Sequence, residues 1–138
     1  MNNILPDKLT CGATLRDNEY AWSVASFPAA LKAAPALGYG CLGGQFQYRE
    51  DNGSIYELFW LDADASERFP DEVWDSYTVR SCGEVLEGFE RRLRETNFRE
   101  QVQQYSIQDS ATTKNLVFNA YFITEVEFDR ITESGVEI

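Results

Sequence analysis

The sequence predicts an α+β domain: a mostly antiparallel sheet with a central β-hairpin and two main helices packed on one face. Three observations carry that expectation. Asp51-Asn52-Gly53 separates two apolar runs, G-Y-G-C-L-G-G-Q-F-Q-Y-R-E and S-I-Y-E-L-F-W-L-D, a strong short-range hairpin signal. Val85, Leu86, Phe89, Leu93 and Phe98 keep helical spacing among Glu87, Glu90, Arg91, Arg92, Arg94 and Glu95, the pattern of an amphipathic helix. Leu116, Phe118, Ala120, Phe122, Val126 and Phe128 follow a period of two. A chain of 138 residues, 43% hydrophobic and 14% aromatic, forms one domain over residues 1–138 and buries a core unaided.

In chain order, Leu9 to Leu15 reads as a short strand and Asn18 to Trp22 as the lead into a helix. From Ser26, S-F-P-A-A-L-K-A-A-P-A-L-G places a proline near a helix start, follows it with small helix formers and closes on Pro35 and Gly38. In the hairpin, a two-residue Asn52-Gly53 turn pairs Arg49 with Tyr56, Gln47 with Leu58 and Gln45 with Trp60. That register puts Leu42, Phe46, Tyr48, Ile55, Phe59 and Leu61 on the core face. Phe46, Phe59, Phe89 and Leu93 are then expected to be buried together. Ser76 to Arg80 reads as a short strand. Ser81 and Glu84 have capping-box spacing, so the second helix is expected over Gly83 to Glu95, broken at Thr96-Asn97 before a final turn through Gln104. Ser106 to Lys114 is a polar loop, and one long strand follows from Leu116 to Asp129.

Composition narrows the function. Twenty-three acidic residues against 12 basic ones give a net charge of −11 and a pI near 4.3, a surface that repels nucleic acid and anionic membrane and draws a basic protein. With no histidine in the chain, every catalytic triad, general base or metal site built on imidazole is excluded. The odd cysteines Cys11, Cys41 and Cys82 suit reduced thiols in a cytoplasm, and the N-terminus reads as carrying no secretory signal. Gly38, Gly40 and Gly43 match a dinucleotide motif in the wrong context, after a helix and before a strand. Asp62, Asp64 and Ser66 have the spacing of calcium-loop ligands, but Glu67 and Val73 occupy the positions that need glycine and glutamate. No cofactor, no metal and no catalytic residue is therefore expected.

The acidic residues concentrate. Between Glu50 and Ser76 lie nine acids and one base, Arg68, with Trp60, Phe69 and Trp74 interleaved. Aromatics amid one sign of charge suit a protein-recognition surface, in which charge steers and aromatics anchor. The expected partner-binding residues are Trp60, Asp62, Asp64, Glu67, Asp71, Glu72, Trp74 and Asp75.

Tyr20-Ala21-Trp22, the alanine-rich helix, Leu42-Gly43-Gly44-Gln45-Phe46-Gln47-Tyr48, Trp60 and Ser81 at the amphipathic helix together resemble the small α+β immunity proteins of bacterial polymorphic-toxin and contact-dependent growth inhibition systems. The pattern there commonly has an aspartate after the two glycines, where this chain has Gln45. The resemblance implies a non-enzymatic, cytoplasmic toxin inhibitor whose partner is a cognate toxin domain, a basic protein such as a nuclease. Rival readings are an acidic protein-binding or scaffold module without a toxin partner and a carboxylate-dependent hydrolase. Calorimetric titration with zinc, calcium or a dinucleotide is expected to show no tight stoichiometric binding.

Overall fold

Turn chemistry between Glu50 and Ser54 sets the register of the hairpin. In the computed structural model, which describes residues 4–104 and 115–133, the Glu50 amide donates to the Ser54 carbonyl (2.8 Å) and the Gly53 amide to the Glu50 carbonyl (3.0 Å). Gly53 has φ +95°, while Asn52 is not left-handed. This is a three-residue loop closed by a left-handed glycine, in place of the expected two-residue turn. Strands β3 (Gly40–Arg49) and β4 (Ile55–Asp64) therefore pair Arg49 with Ile55, Gln47 with Glu57 and Phe46 with Leu58, one residue off the predicted alignment. A one-residue slip exchanges the two faces of a strand. Leu58 accordingly enters the core at 2% exposure, and Phe59, expected inside, points out at 68%. An irregularity opposite Gln45 and Phe46 leaves 59–61 out of the ladder, with Leu61 at its end and Ala63 beyond it again buried.

A two-residue left-handed turn does occur, earlier in the chain. Asp17 and Asn18 (φ +51° and +64°) join β1 (Ala13–Arg16) to β2 (Glu19–Ser23), with Arg16 opposite Glu19. Asn18 to Trp22 is thus turn and strand where a helix lead was expected. The predicted Leu9–Leu15 strand divides into a one-turn helix α1 (Asp7–Thr10) and β1.

Strand β5 (Leu116–Ile123) completes a five-stranded sheet in the order β1-β2-β5-β3-β4, and every pairing is antiparallel. The β3–β4 hairpin supplies two adjacent strands, with β4 at the edge. Helices α2 (Phe27–Ala33), followed by a 3-10 turn at Pro35–Leu37, and α3 (Trp74–Glu95) cover one face. Phe27 and Phe89 on the helices meet Phe46 and Phe118 on the sheet, with ring centroids 4.7 to 5.3 Å apart, a range that favours tilted and edge-on aromatic packing. Trp22 is fully buried beside them, its indole N–H donating to the Leu9 carbonyl (2.6 Å). Leu93 packs on this core partly buried.

Helix α3 starts nine residues before the predicted Gly83. Its buried residues Trp74, Tyr77, Thr78, Ser81, Cys82, Val85 and Phe89 recur at three- and four-residue spacing, so the segment predicted as a strand at Ser76–Arg80 is helix. β-branched and aromatic residues there lower local helix propensity, and packing overrides it. Ser81 is consequently interior rather than a cap, its hydroxyl donating to the Thr78 carbonyl (3.3 Å) and accepting from the Cys41 amide (3.2 Å).

The reciprocal cap appears instead at Thr124. Its amide donates to Glu127 Oε1 (3.0 Å), and the Glu127 amide donates to Thr124 Oγ1 (3.3 Å). This ends β5 and starts α5 (Glu125–Glu133), where one continuous strand was predicted. Helix α4 (Phe98–Gln104) follows Thr96-Asn97 as expected, while the Ser106–Lys114 loop lies outside the described residues. Among the described residues no helix is long and apolar enough to cross a membrane.

Strands β3 and β5 approach closely at Gly44, where a Cβ would run into the Asn119 carbonyl oxygen and lie 2.8 Å from Ala120 Cα. Gly44→Ala is expected to destabilise by about 3 kcal/mol, the upper end of ordinary overpacking. Gly83→Ala, on an exposed helical position with nothing within 4 Å, is expected to stabilise by roughly 0.5–1 kcal/mol. Chemical denaturation of the two variants checks both signs.

Candidate protein-docking surface

The segment after β4 lies lengthwise against α3, and three side chains of the helix hold it there in descending order. Arg92 comes first: its Nε donates to the Asp62 carbonyl (3.1 Å) and its Nη2 meets Asp62 Oδ1 (3.2 Å). About two turns back, Glu84 accepts from the Ser66 amide (2.7 Å) and hydroxyl (2.9 Å). Arg80 takes the remainder. Its Nε and Nη2 form a fork on the two Glu72 carboxylate oxygens (2.7 and 2.8 Å), Nη2 also reaches the Glu67 carbonyl (3.0 Å), and Nη1 bonds Ser66 Oγ (2.6 Å) and Glu84 (2.9 Å). The chain turns back at Trp74 to begin α3, so the acidic ridge follows the helix for roughly 27 Å, 18 residues at helical rise.

The expected docking residues separate along this ridge. Asp64, Glu67, Asp71 and Asp75 are exposed. Asp62 is half-buried on Arg92, and beside it Asp64 has its carboxyl pushed above the usual range, first by partial desolvation and then by the neighbouring Asp62 carboxyl. Trp60 is half-buried, its indole N–H donating to Gln101 Oε1 (3.3 Å). Two expected contacts are committed internally. The Glu72 side chain is 8% exposed within the Arg80 fork. Trp74 is buried against Tyr77 and Phe128, with its N–H donating to the Gly38 carbonyl (2.9 Å) and Arg68 stacked on its ring. Trp74 is a core residue and presents no face to a partner.

No family model, curated protein or solved structure matches this chain. The geometry carries the functional argument.

Phenylalanines take the exposed positions first assigned to the tryptophans. Phe59 projects from β4 edge-on to Trp60 (5.0 Å between centroids). Phe69 is 54% exposed in the middle of the ridge, its ring 4.5 Å from the Arg80 guanidinium and its amide donating to Glu72 Oε1 (3.1 Å). The interleaving of Phe69 with acids was visible in the sequence. The exposure of Phe59 was not, because it depends on the turn at Gly53.

Arg80 does the ordering here, and the Glu72 carboxyl records it: the hydrogen-bonded Arg80 fork pulls it from 4.5 down to about 2. A carboxyl depressed in the folded state stabilises the fold above its unfolded pKa, and that contribution is lost as pH falls from near 4.5 towards about 2. Glu72→Gln is expected to melt below the parent at neutral pH, with the difference shrinking through that acidic window. Melting temperature measured against pH checks it.

Proposed function

We propose that this chain is a cytoplasmic immunity protein that binds and neutralises a basic bacterial toxin domain, docking it along the acidic ridge without performing catalysis. The observation that carries the reading is Phe69. It is an apolar ring more than half exposed, fixed by Arg80 from beneath and flanked by Glu67, Asp71 and Asp75. An exposed aromatic already locked in place loses little conformational freedom on binding, so more of its contact energy appears as affinity. The surrounding acids raise the rate of encounter with a basic surface and oppose an acidic one. The resemblance of the sequence to immunity proteins points to the same class of partner. In this reading Asp64, Glu67, Asp71 and Asp75 steer, Phe69 anchors, and Trp60 with Phe59 extends the contact along β4.

Co-expression with the product of an adjacent reading frame, followed by co-purification, tests the central claim. With a partner in hand, Glu67→Lys and Asp71→Lys together are expected to slow association and flatten its salt dependence. Phe69→Ala is expected to cost about 2 kcal/mol of affinity, chiefly through faster dissociation, with little change in melting temperature. Unchanged rates after charge reversal would overturn the docking assignment.

A further inference from the structure

Exposed apolar side chains gather on the outer face of α3. Val73, the residue before the helix, and Val79 are 64% and 63% exposed, and with Phe69 they make three of the eight large apolar residues exposed among the described ones. Scattered singly, such residues need no explanation, but side by side they mark a contact surface. Val73, Ser76, Val79 and Gly83 follow three- and four-residue spacing, so they form one stripe along about 15 Å of helix, and Ser76 and Gly83 are exposed as well. Phe69 borders the stripe, held over the guanidinium of Arg80, the residue after Val79. Gly83 is the tenth of the 22 residues of α3, and a glycine inside a helix costs stability relative to alanine. Close neighbours account for other glycines here: a Cβ at Gly88 would lie 2.9 Å from Ala63 Cβ, and one at Gly40 2.9 Å from Tyr77 Cε2. At Gly83 a Cβ would meet nothing within 4 Å. Packing within the described chain gives this glycine no reason, whereas a backbone arriving from outside does. The charge around the stripe has one sign. Glu67 and Asp71 lie on the ridge side, Asp75 one turn before Val79 and Glu87 one turn past Gly83, all exposed. The two bases between 67 and 87 are committed, Arg68 to Glu125 and Arg80 to Glu72 and Glu84.

We propose that this stripe receives one amphipathic α-helix of the basic partner, lying closest at Gly83 with its apolar side against Val79 and Phe69. Lysine or arginine on the flanks of that helix reaches Glu67, Asp71, Asp75 and Glu87. A helix face has no free backbone edge, so an added strand gains no hydrogen-bond ladder here. Side chains at three- and four-residue spacing present instead the ridges and grooves on which another helix packs. A residue without a side chain at the crossing lets the two axes approach to the short end of the usual separation of roughly 8–10 Å. A second copy of this chain, at net charge −11, is opposed by the same acids. The inference rests on the docking reading and adds to it the partner's secondary structure and its point of closest contact.

Heteronuclear NMR titration of the full chain tests it, with a stapled lysine-leucine-alanine peptide of about 18 residues, five helical turns with the leucines along one side, set against a scrambled peptide of the same composition. The helical peptide is expected to bind at least about tenfold more tightly than the scrambled one, with saturable shifts centred on the amides of 73–87. Gly83→Gln places a stronger helix former at the crossing, and is expected to hold or raise the melting temperature while weakening the helical peptide about tenfold. Gly83→Ala is expected to weaken it less. Four outcomes would overturn the proposal: no saturable binding of the helical peptide, equal binding of the two peptides, shifts confined to 64–72, or undiminished affinity in Gly83→Gln. The docking reading survives each of them, since it needs charge and Phe69 alone, and it fails instead on association rates unchanged by Glu67→Lys and Asp71→Lys.

Discussion

The register of the β3–β4 hairpin is the constraint on which the rest of the structure depends. Gly53 in a left-handed conformation closes a three-residue loop, and every pairing up to Phe46 follows from it. Phe46 and Leu58 then share the core face, where Phe46 stacks on Phe89 and fixes α3 over the sheet. The same alternation sends Gln47, Arg49, Ile55 and Glu57 to the opposite face, where with Arg16, Asp17 and Glu19 they line a shallow cleft. Had the loop closed on two residues, Phe59 would have entered the core and Leu58 faced solvent. Core, cleft and the exposed aromatic at the sheet edge are three consequences of one turn.

A second constraint is the length of α3. By starting at Trp74 the helix brings Arg80 opposite the segment that follows β4, so one guanidinium binds two carboxylates, a hydroxyl and a backbone carbonyl together. That arrangement sorts the acids of this segment by role. Glu72 and Glu84 are drawn into ion pairs that order the chain, and Asp62 is held by Arg92. The remaining exposed acids stand on a backbone that is already fixed, which is what allows a charged surface to present a defined shape to a partner. Arg68 extends the order to α5, pairing with Glu125 and Asp129 while stacking on Trp74 and Phe128.

Much of this was legible in the sequence, and the failures have physical causes. The hairpin, α2, the amphipathic half of α3 and the core strand β5 were evident because periodicity there agrees with packing. The turn motif D-N-G fits two loop lengths, and only the backbone conformation of Asn52 distinguishes them. The first turns of α3 are written in residues with strand preference, T-V-R between Tyr77 and Ser81, and their helical spacing emerges only when Trp74 is counted as core. Thr124-Glu125-Val126-Glu127 carries a capping box as plainly as Ser81 to Glu84 does. The period-two apolar pattern running through it concealed the strand end. For the docking surface, the acids were found but their division between internal pairing and exposure was not, because that depends on which of them an arginine reaches.

The buried Arg49 links the global charge to the local structure. Its four hydrogen bonds satisfy the guanidinium geometrically, yet all go to neutral oxygens, and desolvating a cation without a carboxylate is costly. A chain of net charge −11 offsets part of that cost through its summed field, since the carboxylates of Asp17 and Glu19 act on Arg49 without pairing with it. Interactions of that kind, made across a partly solvated cleft, are more open to screening than a contact ion pair. The contact that Arg49 makes from β3 to the N-terminal hairpin, added to that hairpin's ladder with β5, therefore leans on charge at a distance. The acidic ridge along α3, ordered by the direct Arg80 fork, depends on contact.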